Sequence, residues 1–287
     1  MAAPLKKRRK RAAIRDLQAS AARLRRFYRA LFRRWGPQHW WPAESRFEVI
    51  VGAYLTQNTA WTNVELALAQ LRSASVLSLE GIRNIPLPEL EKLVRSAGYF
   101  RQKAQRLKTF VEFVDRNYGG SLDRMFAEPT ESLREKLPAL NGVGPETADS
   151  ILLYAGSHPS FVVDAYTRRI LERHRLIASH ATYNDIRQLF QTGLGGESFV
   201  RSCTASANDF SSGSRTRRDR PEGSCHDPSG ASALPRSELA QVFNEMHGLL
   251  VGVGKNYCLK RAPKCEICPL KRDLPNGRVR LSGTNSA

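Results

Sequence analysis

The chain has 287 residues, room for one large domain or two ordinary ones, and its 41% hydrophobic content supports real cores. Its formal charge of +18 attracts polyanions, and because the basic residues fall in runs, nucleic acid ranks above a merely solubilising surface. No apolar run approaches the roughly 20 residues of a membrane span, and no apolar segment follows the basic start as in a secretory leader.

In chain order, residues 1–13 read as a basic, disordered tail. From residue 14 to 34, Ile14, Leu17, Ala21, Leu24 and Phe27 recur at helical spacing, with arginines on the other face. "GPQHWWPAES" breaks that helix. Amphipathic helices then follow near 46–57, 61–74, 88–97, 101–117, 131–138, 145–156, 164–175, 183–192 and 237–256. "SFVV", residues 160–163, is the one β-branched run of note and is too short for a sheet, so the fold class is all-α. Residues 199–236, rich in Ser, Arg, Gly and Pro, hold too few large apolar groups to offset their ordering entropy and read as a disordered insertion. No internal repeat is visible.

"LNGVGPETAD", residues 140–149, joins two of these helices. Pro145 sits at the first position of the second helix, where a missing N–H costs nothing. Gly142 and Gly144 permit positive φ and a close approach by another backbone. The turn leaves amide groups pointing outward at a positive helix end, a place for an anion such as a DNA phosphate. An ordinary helix–helix turn needs only one glycine.

Leu140, Asn141, Gly142, Val143 and Gly144, followed by Asp164 in "FVVDAYTRR", resemble the helix-hairpin-helix DNA glycosylase superfamily, its endonuclease III-like branch above all. "VGAYLTQNTAWTNV" is similar to the family segment with a DNA-probing glutamine, here Gln57. "SAGYFRQKAQRLK" is similar to its intercalating loop, with Tyr99 at the tip. "YCLKRAPKCEICPL" is similar to its iron–sulfur loop. The resemblance covers about 38–198 and 237–274. It implies two helical lobes around a DNA-binding cleft. One is a six-helix barrel, 38–158, holding the hairpin; the other joins 14–37 to 159–198 and 237–275, ahead of a tail at 276–287. Duplex DNA with a damaged base, flipped out of the stack, is the implied partner, and one cleft per chain implies a monomer.

The chemistry implied is cleavage of an N-glycosidic bond through an oxocarbenium-like sugar. Asp164 is the carboxylate that stabilises the cation and orients or deprotonates water. An aspartate opening a helix also serves as an N-cap, and one residue can do both. Family members that cut the strand use a lysine in the helix after the hairpin, forming a Schiff base at C1′. Here that position is Glu146, which cannot form one. The resemblance therefore implies a monofunctional glycosylase, Glu146 lining the pocket and favouring a cationic, alkylated base. A bifunctional glycosylase/lyase with a displaced amine, and a non-catalytic DNA-structure-binding protein, are the alternatives.

Three of the five cysteines cluster late in the chain. The chain reads as cytoplasmic, nucleoid-associated or nuclear, where clustered thiols bind metal more often than they form disulfides. Cys258, Cys265 and Cys268 match the first three ligands of the family's [4Fe–4S] loop. The fourth position is Leu274. Asp273, or Cys203 or Cys225 from the insertion, are substitutes; zinc on three thiolates and one further group, or no metal, are the other readings.

Overall fold

The computed structural model describes the backbone of residues 3–41, 43–212 and 236–275, with side chains from residue 18 to 41, 43 to 204 and 236 to 275. No strand occurs among the described residues, and the fold is all-α. None of the helices described is long and apolar enough to cross a membrane.

The chain divides into two compact units. The first holds the chain up to Trp40, resumes at Phe161 and takes in the C-terminal stretch from Glu238. It contains α1 (Ala3–Trp35), α10 (Ala165–Arg173), α11 (Tyr183–Leu194), α12 (Glu197–Ser212) and α13 (Glu238–Asn256). The second runs from Trp41 to Ser160. It contains α2 (Arg46–Leu55), α3 (Trp61–Ser73), α4 (Leu79–Asn84), α5 (Leu87–Leu93), α6 (Phe100–Tyr118), α7 (Leu122–Phe126), α8 (Thr130–Lys136) and α9 (Pro145–Ser150).

In the first unit α1 packs on α11, and α10 on α13. Leu24, Phe27, Leu31 and Trp35 form the buried stripe of α1, and α13 is buried nearly all round from Val242 to Gly254. Two expectations are corrected here. The basic stretch 1–13 is helical from Ala3, because lysine, arginine, alanine and leucine are good helix formers in phase with the stripe that follows. Residues 199–212 belong to α12, not to a disordered insertion: Phe199, Val200 and Cys203 make one buried face. Phe199 meets Tyr28 edge-on, and the Arg25 and Arg29 guanidiniums lie over its ring at 5.6 and 5.4 Å. The rest of that expected insertion, 213–235 with Cys225, and the tail 276–287 lie outside the described residues.

In the second unit α2 is the central element, with every residue from Phe47 to Leu55 buried. Ser45 caps it by accepting from the Glu48 amide at 3.1 Å. α9 runs on into a wider, π-helical turn, Ile151–Ala155, which is fully buried and packs on α2. A buried ion pair locks this region. Arg134 of α8 donates from Nε and Nη2 to the two Asp149 carboxylate oxygens at 2.7 and 3.1 Å, and the Ser160 hydroxyl donates to Oδ1 at 2.5 Å. Asp149 is fully buried, so three donors replace the water it has lost.

Candidate active site

The hairpin is a tight turn between a short 3₁₀ turn, Leu137–Ala139, and α9. The Val143 amide donates to the Leu140 carbonyl at 3.0 Å, Val143 is buried and Leu140 half-buried. The two glycines do different things. Gly142 has φ +82°, and a Cβ there would stand 2.2 Å from Arg106 Nε. Gly144 is the extended N-cap of α9, at φ −86°, and a Cβ there would meet nothing within 4 Å. Gly142 is therefore required by the fold, whereas nothing among the described residues requires Gly144.

Gln57, just past the end of α2, is tied to the same hairpin. Its Nε2 donates to the Gly142 carbonyl at 2.8 Å and to the Thr147 hydroxyl at 3.0 Å, while its Oε1 accepts from Arg106 Nη1 at 3.1 Å. Sequence reasoning missed what positions it. Lys103, on α6, is 1% exposed, and its ammonium donates to the carbonyls of Leu55, Gln57 and Ala97 at 2.8, 2.8 and 2.7 Å. All three of its donors are used, and burial pushes its pKa down, with Arg106 adding to the effect. One buried lysine thus fastens the Gln57 segment to the turn that carries Tyr99. Tyr99 itself is 69% exposed, with φ +46°, a left-handed conformation unusual for an aromatic residue. A lysine at 103 looks like an exposed helix residue in the sequence; only its buried neighbours Ala104 and Leu107 hint otherwise.

Asp164 is the N-cap of α10, in the other unit. Its Oδ1 accepts from the Thr167 amide at 2.7 Å. Its Oδ2 lies 3.8 Å from His247 Nε2, and the side chain keeps 14% of its exposure. One oxygen caps the helix and the other takes no part in the cap. His247, on α13, is buried against the edges of Trp40 and Phe161. Burial lowers its pKa more than Asp164 raises it, so the ring is neutral at pH 7. Sequence reasoning did not find it, although a histidine inside the apolar run of α13 was the available signal. Glu146, in the first turn of α9, is exposed, and its carbonyl accepts from the Ser150 hydroxyl at 2.8 Å.

The cysteine loop follows α13. Arg169 and Arg173 of α10 hold it by its backbone, donating to the carbonyls of Gly254, Cys258, Leu259 and Lys260. Cys258, Cys265, Cys268, His174 and Leu274 line one pocket, with about 300 Å³ of open space including its solvent-facing part. Burial is the main cause that raises the Cys265 thiol and pushes Cys268 up to about 11. The three thiols fit the first three ligands of an iron–sulfur loop; Leu274 offers only hydrocarbon where the fourth is expected. Of the expected substitutes, Cys225 lies outside the described residues and the other two have partners elsewhere. Asp273 Oδ1 is engaged by Arg26 at 3.1 Å, and Cys203 is buried on α12 beside Tyr28 and Ser202. Among the described residues no three His, Cys, Asp or Glu side chains converge closely enough to hold a single metal ion.

A helical fold with a glycine hairpin and a half-used helix-capping aspartate is what a helix-hairpin-helix DNA glycosylase would have. The comparisons agree. The profile of the HhH-GPD superfamily of base excision DNA repair proteins matches residues 51–195. A protein of Methanocaldococcus jannaschii named "Putative DNA repair glycosylase" is 36% identical over 247 residues, 86% of this chain and 93% of that protein. Endonuclease III of Thermotoga maritima is 31% identical over 237 residues, covering 83% and 86%. Among solved structures, the 3-methyladenine DNA glycosylase of H. pylori bound to 1,N6-ethenoadenine aligns at TM-score 0.60 and 27% identity, over 82% of this chain and 97% of that one. An endonuclease III trapped covalently on DNA shares the fold at TM-score 0.63 and 17% identity, over 90% and 96%. The chain belongs to the HhH-GPD superfamily. It is a base-excision repair DNA glycosylase and a DNA-binding protein.

Proposed function

We propose that the protein is a monofunctional glycosylase that hydrolyses the bond between deoxyribose and an alkylated, cationic base flipped out of duplex DNA. The observation that carries this reading is Glu146. It stands, exposed, in the first turn after the hairpin, where strand-cutting relatives by resemblance have a lysine. A carboxylate forms no Schiff base. Lys103 is no substitute, since its three donors are spent on backbone carbonyls. Glu146 favours a base that carries positive charge, and such a base leaves with little help from an acid. The likeness to a 3-methyladenine DNA glycosylase supports this substrate class, since methylation at a purine ring nitrogen gives the nucleoside a positive charge.

In this mechanism Asp164 acts through Oδ2. It stabilises the developing oxocarbenium ion and holds or deprotonates the attacking water, while Oδ1 keeps the carboxylate fixed on α10. Neutral His247 stands beside Oδ2 without neutralising it. The hairpin amides grip a phosphate on the strand, Gln57 fills the space left by the base, and Tyr99 wedges into the stack. The cysteine loop is read as an iron–sulfur loop whose cluster, when bound, supplies cross-linking and no redox step. It stiffens a segment carrying exposed Lys255, Lys260, Arg261, Lys264 and Arg272 toward DNA phosphates. The protein works as a monomer on duplex DNA.

The test pairs two measurements on a duplex containing one purine methylated at a ring nitrogen. Asp164→Asn is expected to slow single-turnover excision at least about a hundredfold while leaving DNA affinity within about twofold. Borohydride is expected to trap no protein–DNA adduct with the wild type. A trapped adduct means a lyase amine and sinks the monofunctional reading; equal loss of binding and excision in Asp164→Asn reduces Asp164 to a cap.

A further inference from the structure

The pocket behind the cysteine loop lacks a sulfur at Leu274, yet it holds another ligand type. His174 ends α10, is 4% exposed, and lines the pocket with Cys258, Cys265 and Cys268. Its Nδ1 lies 3.1 Å from the Asp273 carbonyl oxygen. A carbonyl only accepts, so Nδ1 carries the proton, and Nε2 of the neutral ring presents a lone pair. A metal-bound histidine is characteristically held this way, one ring N–H on a backbone carbonyl and the other nitrogen on the metal. Two more contacts fix the ring. Phe27 packs against it edge-on at 4.8 Å, and Arg23 Nη2 donates to the carbonyls of both His174 and Asp273, at 2.7 and 2.9 Å. The residue before Leu274 is thereby fastened to the imidazole. Tyr257 also lines the pocket, its ring stacked with Trp35 at 6.1 Å between centroids.

We propose that His174 Nε2 is the fourth protein ligand of a [4Fe–4S] cluster held by Cys258, Cys265 and Cys268. This rests on the iron–sulfur reading of the loop. The four donors line one pocket, and among the described residues no group of His, Cys, Asp or Glu is placed to hold a single metal ion. A four-iron cube takes its ligands at separate corners, one to each iron. Binding releases one proton from each cysteine thiol and none from Nε2. Exchanging a thiolate for a neutral imidazole leaves the cluster one unit less negative, which raises its reduction potential. Arg173 acts in the same direction, its Nη1 donating to Cys258 Sγ at 3.2 Å.

The experiment uses the full chain, purified anaerobically and reconstituted with ferrous iron and sulfide. Iron and sulfide are expected at about four each per chain. After reduction, pulsed electron paramagnetic resonance should show a directly coordinated nitrogen-14. His174→Ala should lose that coupling and most of the iron. Leu274→Cys, which restores a fourth thiolate and keeps His174, should hold the iron, lose the nitrogen coupling and lower the reduction potential. Because Leu274→Cys keeps the His174 side chain, it decides the matter even if His174→Ala misfolds. A full cluster without nitrogen coupling in the wild type overturns the His174 assignment alone. Zinc, or no iron at all, overturns the iron–sulfur reading with it.

Discussion

The two hairpin glycines differ in what the fold asks of them. Gly142 is held at φ +82° against Arg106, which also fixes Gln57. An alanine there is strained by about 1–2 kcal/mol and displaces that arginine. Gly144 is in ordinary extended backbone facing open space, so an alanine costs the fold little. If a phosphate approaches that amide, the added methyl stands in its way. Chemical denaturation and binding to duplex DNA are expected to split accordingly. Gly142→Ala lowers both stability and affinity, whereas Gly144→Ala keeps stability within about 0.5 kcal/mol and loses about tenfold in affinity. Unchanged affinity in Gly144→Ala would contradict the phosphate role of the hairpin. At Asp164 one oxygen makes the cap at 2.7 Å, and the other is the one proposed to act on the sugar.

At the scale of elements, long-range polar anchors hold the helices in register. Asp149→Ala removes the buried partner of Arg134, 15% exposed, and leaves it the more exposed Glu131 at 3.6 Å; it should cost about 3–5 kcal/mol, read as a lower urea midpoint with an unchanged slope. A loss under 1 kcal/mol would mean water replaces the pair. Anchors of this kind were not legible in the sequence, because the partners are distant along the chain: Lys103 serves Leu55, and His247 stands by Asp164. The hairpin and Asp164 were legible, since glycines, a proline at helix start and a capping aspartate are local signals. Among the helices, α4 and α7 were missed, having six and five residues, too few to show a period. α12 was missed because its buried face is only Phe199, Val200 and Cys203 within a serine-rich stretch.

For the whole molecule, three buried histidines set the acid limit. His158, His174 and His247 are all held below 6.5, burial being the largest cause in each. Well above pH 6.5 they are neutral both folded and unfolded, so there they add no pH dependence. Below it the unfolded chain takes up protons that the folded protein resists, and stability falls until the folded pKa values are reached. A denaturation midpoint lower at pH 5.5 than at pH 7.5 is the expected result, in a window above most carboxylate titrations. Equal midpoints would mean that the rings stay solvated. The central claim, hydrolysis of the glycosidic bond without strand cleavage, is tested most directly by nicking. A duplex oligonucleotide with one alkylated purine is incubated with the wild-type protein, and half of each sample is treated with hot alkali. Cleavage only after alkali is the predicted result; cleavage without alkali would contradict the account, because it requires an amine at C1′ that neither Glu146 nor Lys103 provides.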